Sequence, residues 1–94
     1  DKTLRELCET LNVTRRTIQG YEKAGLVTPS GRTNRGFLVY DEAAQKRIQR
    51  IRLYQELGFS IKEIGFTIDA PNEVVKKNIG LKISELQNKI LLME

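Results

Sequence analysis

The sequence predicts a mostly α fold: four helices, interrupted after the second by a short β-hairpin, and then a fifth helix of coiled-coil type. Three observations predict it. Two helix starts carry a full capping box, Thr3 with Glu6 and Ser60 with Glu63, in which each hydroxyl takes an orphan N–H and each glutamate reaches back. The stretch from Gly25 to Tyr40 loses the helical period and is punctuated by glycine, proline and asparagine. Finally, Ile79, Ile83, Leu86, Ile90 and Met93 step by 4, 3, 4 and 3, the spacing of an a/d seam.

Composition bounds what such a chain does. Its 94 residues make one small domain, and 39% hydrophobic with 30% charged content suits a folded chain rather than a disordered one. A chain this short buries a modest core, so a long helix is expected to need a partner to cover its apolar stripe. There is no histidine and one cysteine, Cys8. That excludes the usual zinc ligand set and Ser/His or Cys/His catalysis. The acids are scattered over faces that read as solvated, so no enzyme, metal or cofactor is expected. A lone thiol fits a reducing compartment. No apolar run approaches the ~20 residues of a membrane span and no signal pattern opens the chain, so a cytoplasmic location is expected. The chain opens on Asp1 without a methionine, the expected look of a trimmed chain.

The first helix is expected over 3–11, with Leu4, Leu7, Cys8 and Leu11 on one face. Cys8 belongs to that stripe and reads as packing rather than as a reactive thiol. Asn12 tolerates the left-handed backbone that a sharp helix–helix turn needs, Val13 points inward, and Thr14 is a good N-cap. The second helix is expected over 14–24, with Ile18 and Tyr21 inward and Gly25 ending it. Two helices with a turn of about three residues have helix-turn-helix spacing, which many proteins without DNA ligands also show.

Charge sharpens the reading. The net charge is +4, and residues 14–35 hold Arg15, Arg16, Lys23, Arg32 and Arg35 against Glu22 alone. A solubilising face and a polyanion footprint both fit that partition. Arg15 and Arg16, however, stand in a first helical turn, where the dipole disfavours cations. A phosphate or base edge docked there explains them, because recognition helices enter the major groove by their N-terminal residues. Gly20, mid-helix, costs about 1 kcal/mol relative to alanine; close approach of another backbone is one reading, idiosyncrasy the other.

From Gly25 the chain reads as a hairpin with Arg32 and Arg35 at its bend and Phe37–Tyr40 as a strand. It is either a surface loop or a wing along DNA. Asp41 caps a third helix over 41–57, with Ala44, Ile48, Ile51 and Tyr54 inward and Gly58 stopping it. Phe59 and Ile64 form a hydrophobic staple around the second capping box, and a fourth helix is expected to run to about Asp69, before Pro71. The fifth begins near Asn72. Its seam spans just over two heptads, so a plain amphipathic helix packed on its own domain remains open beside a coiled coil. No stop signal follows Met93, as expected of a helix that continues.

With these elements in order, residues 3–68 resemble the MerR family of bacterial transcription regulators. The resemblance rests on Val13-Thr14-Arg15-Arg16-Thr17-Ile18, Tyr21 through Val27, Arg32-Thr33 through Gly36-Phe37 to Tyr40, and Ile51 through Ile61. It implies a winged helix-turn-helix DNA-binding domain over 1–70 and a dimerisation helix over 71–94. It further implies a homodimer on a pseudo-palindromic promoter operator, with RNA polymerase on the same promoter and effector binding that bends and untwists DNA. Carried over residue by residue, DNA contacts are expected from Thr14, Arg15, Arg16, Thr17, Gln19, Tyr21 and Lys23 of the helix. The wing would add Arg32, Thr33, Asn34, Arg35, Phe37 and Tyr40. Ile79, Ile83, Leu86, Ile90 and Met93 would form the dimer seam.

The sequence departs from the family pattern twice. Gln19 and Gly20 stand where members usually have arginine and an aromatic, and Leu38 stands where arginine usually follows the wing's Gly-aromatic pair. Gln19 has the geometry to read adenine. Metal-sensing members carry cysteines near the end of the dimer helix, absent here, and drug-sensing members carry a further domain. A shortened chain or a small member are thus the two expectations, with no effector named. Two other functions stand beside a regulator: an excisionase-like architectural DNA-bending factor, and a protein-interaction adaptor that has lost DNA binding.

Overall fold

The structure is a computed structural model that describes residues 1–93, with the side chain of Met93 outside the described portion. The chain divides into two compact units, one ending at Arg52 and the next beginning at Leu53.

The first unit opens with strand β1 (Lys2–Thr3), followed by helices α1 (Leu4–Leu11) and α2 (Arg15–Lys23). The capping box of α1 is complete: the Glu6 N–H donates to Thr3 Oγ1 at 3.3 Å and the Thr3 N–H to Glu6 Oε1 at 3.2 Å. Asn12 adopts the left-handed conformation at φ 54°, and Thr14 caps α2 by accepting from the Thr17 N–H at 3.1 Å. The turn chemistry read from Leu11 to Thr14 is therefore the one the chain uses.

Strands β2 (Gly31–Arg32) and β3 (Leu38–Tyr40) follow. They pair antiparallel, with Gly31 opposite Val39 and Arg32 opposite Leu38. The hairpin was expected; its third strand was not. β1 pairs antiparallel with the other edge of β3, Lys2 opposite Tyr40 and Thr3 opposite Val39, so the sheet order is β1-β3-β2. Two residues have no readable period, and only the β3 edge makes them a strand. Helix α3 (Glu42–Glu56) starts where the Asp41 carboxylate accepts from the Ala44 N–H at 2.8 Å. Leu7, Ile18, Tyr21, Leu26, Val27, Tyr40, Ile48 and Ile51 are buried in this unit.

The second unit contains the end of α3, then α4 (Ile61–Thr67) and α5 (Asn72–Met93). Gly58, at φ 94°, ends α3 in a conformation that suits glycine. Ser60 caps α4 with its full capping box, and Tyr54, Phe59, Ile64, Thr67 and Ile68 are buried. α4 ends at Thr67, with Ile68 as its C-cap, slightly before the expected Asp69. Between the two helices, the Asn78 side-chain amide donates to Thr67 Oγ1 at 3.0 Å, and Lys82 Nζ lies 2.8 Å from Glu63 Oε2.

Candidate nucleic-acid interface

The candidate interface lies wholly within the first unit, on the outer faces of α2 and of the hairpin. Ile18 and Tyr21 turn inward, so 3.6-residue periodicity turns Arg15, Arg16, Gln19, Gly20 and Lys23 outward; all five are exposed. Among the described residues, Arg15, Arg16 and Lys23 make no ion pair or side-chain hydrogen bond. Three solvated cations on a nine-residue helix, two in its first turn, stand against one carboxylate of that helix, Glu22.

The hairpin presents a second group. Its bend is a β-turn closed by the Gly36 N–H donating to the Thr33 carbonyl at 2.9 Å, with Asn34 and Arg35 exposed at the tip. Gly36 takes φ 84°, which lets Phe37 turn back into β3. Thr33 and Arg32 are largely occupied by the turn itself. The Phe37 N–H donates to Thr33 Oγ1 at 3.1 Å, and the Arg32 guanidinium donates to the Gly36 carbonyl at 2.9 Å. Phe37 is 60% exposed, a large ring left in solvent beside the bend.

Between α2 and the hairpin lies a cleft lined by Thr3, Leu4, Arg5, Arg15, Gln19, Gly36, Phe37 and Leu38. Arg15, Gln19 and Phe37 thus share one surface. Arg5 and Leu4, on no sequence-based roster of contacts, share it too. The signal was present: Arg5 sits in the first turn of α1, as Arg15 does in that of α2, and is likewise placed against the dipole.

Two expected contact residues need correction. Tyr21 is 2% exposed and Tyr40 is 0% exposed, so neither ring is on the surface. Tyr21 belongs to the inward face of α2, and burial pushes its hydroxyl pKa up, opposed by Arg52. Tyr40 donates its hydroxyl to Glu22 Oε1, tying the end of β3 to α2. Burial and then that carboxylate raise its pKa far above the ordinary range, so it stays a donor. Thr14 and Thr17, also expected at the interface, bond each other through their hydroxyls at 2.8 Å and serve the cap.

What holds these faces in place comes from α3. Arg52 donates to the Leu11 carbonyl at 2.6 Å, Arg47 Nε donates to the Leu26 carbonyl, and the Gln45 amide donates to the Tyr40 carbonyl at 2.9 Å. The Leu11 carbonyl is one of the orphan acceptors at the end of α1, where a cation is favoured. Three side chains of one helix therefore fix the turn of the helix pair, the exit from α2 and the end of the wing. Sequence reading missed them, since long polar side chains beside an apolar stripe usually read as solvated.

A helix-turn-helix with a hairpin wing and an unpaired cationic outer face defines a DNA-binding domain. The family model described as MerR HTH family regulatory protein matches residues 2–70. A mercuric resistance operon regulatory protein of Bacillus cereus is 32% identical over 91 residues, spanning 90% of this chain and 69% of that protein. This chain belongs to the MerR family, a family of transcription regulators and not of enzymes. The nodulation protein NolA of Bradyrhizobium elkanii is 39% identical over 70 residues, which are 74% of this chain and 32% of that protein. The chain thus spans between a quarter and a third of the length of the NolA relatives it matches. The crystal structure of MtaN, the N-terminus of the Bacillus subtilis multidrug transporter activator, superposes with a TM-score of 0.88 at 29% identity, covering 99% of this chain and 88% of that one. Among the described residues no helix is long and apolar enough to cross a membrane.

Proposed function

We propose that this chain binds a pseudo-palindromic promoter operator as a homodimer and regulates transcription there, in the bacterial cytoplasm, alongside RNA polymerase. Residues 1–70 contact the DNA and residues 71–94 pair the two protomers. The observation that carries the reading is the cationic outer face of α2, with Arg15 and Arg16 unpaired in its first turn beside an exposed wing. In the complex, α2 enters the major groove, where Arg16, Gln19 and Lys23 meet base edges and phosphates. Arg15, Arg32, Asn34, Arg35 and the Phe37 ring lie along the flanking backbone. Thr14, Thr17 and Thr33 present the caps and turns that orient these groups.

Pairing is supported by α5. Ile83 and Ile90 are 43% and 60% exposed, while Ile79 and Leu86 are half-buried within their own unit. The chain leaves one edge of the seam uncovered, as a partner helix requires. Selection of bound sites from random duplexes tests the reading. The expected outcome is an inverted repeat, with affinity falling steeply as salt rises because several phosphates release counterions. One asymmetric site would instead indicate an architectural factor, and no enrichment would end the DNA reading.

A further inference from the structure

Glycine in the interior of an exposed helix weakens it, and two structural reasons usually account for one: a positive φ or the close approach of another part of the chain. Gly20 of α2 has neither. It is helical, and a Cβ built on it meets no atom within 4 Å. The protein itself has room for a Cβ there.

The surroundings of that room are specific. Gly20 shares a shallow hollow with Arg16, Gln19, Glu22 and Lys23. The Glu22 carboxylate is engaged by the Tyr40 hydroxyl, which leaves Arg16 and Lys23 as the hollow's uncommitted charges. By helical spacing Arg16, Gln19 and Lys23 form the centre of the outer face. Arg15 lies on the flank nearest the hairpin and Gly20 on the opposite flank. An α-helix with its side chains is ~10–12 Å across and the major groove ~12 Å wide. The centre of the face therefore meets base edges, while the flanks meet the sugar–phosphate walls.

We infer that Gly20 is where one sugar–phosphate wall of the operator rests directly on the main chain of α2. A bare flank lets the helix sink further, so that Arg16 and Gln19 reach deeper into the groove. This rests on the DNA-binding reading above and adds to it a residue that sets the docking depth by having no side chain.

The test is Gly20→Ala and Gly20→Leu in the full chain, measured on a duplex that the wild type selects. Both substitutions favour the helix, so Tm should rise, by about 4–8 °C for Ala. DNA affinity should move the opposite way, falling about tenfold for Ala and further for Leu. The slope of log affinity against log salt should stay at the wild-type value because no charge is removed, whereas Lys23→Ala should lower it. Ala and Leu variants that melt higher and bind as well as wild type would overturn the inference. So would a lower Tm, which would assign the glycine to the fold. A wild type that selects no duplex would instead fail the DNA-binding reading itself, before any Gly20 variant is made.

Discussion

Helices α2 and α5 each leave one face unsatisfied, and the two faces differ in kind. α2 exposes Arg15, Arg16, Gln19 and Lys23, with its apolar residues turned inward. α5 exposes Val74, Leu81, Ile83, Ile90, Leu91 and Leu92. A cationic face is soluble alone and waits for a polyanion, whereas an apolar stripe on a 22-residue helix costs free energy until something covers it. The difference teaches that a short chain can carry two interactions of different chemistry on separate helices, each testable without the other.

The largest expected effect comes from breaking the apolar face. If the chain pairs through α5 as proposed, Ile83→Lys with Ile90→Lys converts a dimer to a monomer in sedimentation experiments. Operator affinity should then fall by about 100-fold or more, since the second half-site is no longer held at high effective concentration. Tm should fall at a given concentration, because pairing stabilises the folded chains by mass action, although within one chain both side chains are exposed. A persistent dimer would place the seam on Leu81 and Val74 instead.

The cationic face depends on its support. Arg52→Met keeps the length of the side chain but removes the donor to the Leu11 carbonyl, and should cost about 1.5–3 kcal/mol in chemical denaturation. If the helix pair is positioned by this bond, DNA affinity falls with it, even though Arg52 is absent from the outer face. Arg16→Ala should cost a comparable or smaller ~1–3 kcal/mol in binding and almost nothing in folding. A changed site preference would assign Arg16 to a base, while a uniform loss with a shallower salt slope would assign it to a phosphate.

Most of the fold was legible because the relevant signals are local. Asn12, Thr14, Gly25, Gly58 and both capping boxes act within a few residues, and each acts where the sequence placed it. The inward stripe Ala44, Ile48, Ile51 and Tyr54 is likewise a property of one helix. What escaped is non-local: β1, which is a strand only by virtue of β3, and the three carbonyls held by Gln45, Arg47 and Arg52. The candidate interface divides the same way. The exposure of Arg15, Arg16, Gln19 and Lys23 follows from helical phase. Tyr21 and Tyr40 both belong to the family motif; helical phase alone turns Tyr21 inward, whereas the burial of Tyr40 is a tertiary fact. Arg5 joins the cleft only through folding.

The smallest expected effect separates the two capping boxes, which look alike in sequence. Glu6 and Glu63 both accept from the N-cap N–H, and both pKa values are lowered. For Glu6 the N–H of Thr3 is the largest cause. For Glu63 it is Lys82, whose side chain is 11% exposed and whose ammonium lies 2.8 Å from Oε2 and 5.2 Å from the centre of the Phe59 ring. Together with Ser60, Lys82 holds the Glu63 carboxyl at about 2, against an ordinary 4.5. A depressed acid contributes stability that is fully present above its unfolded pKa and is lost as pH falls through the folded one. The advantage of wild type over Glu63→Gln should therefore be constant above about pH 4.5 and vanish between there and about pH 2. In a Lys82→Met background the advantage should shrink, and its loss should begin at higher pH, while Glu6→Gln should be unaffected by Lys82. Added salt should erode the lysine part and spare the part due to the Ser60 N–H. An acid profile of Glu63→Gln parallel to wild type down to pH 2 would show that neither the Lys82 contact nor the Ser60 cap contributes in solution.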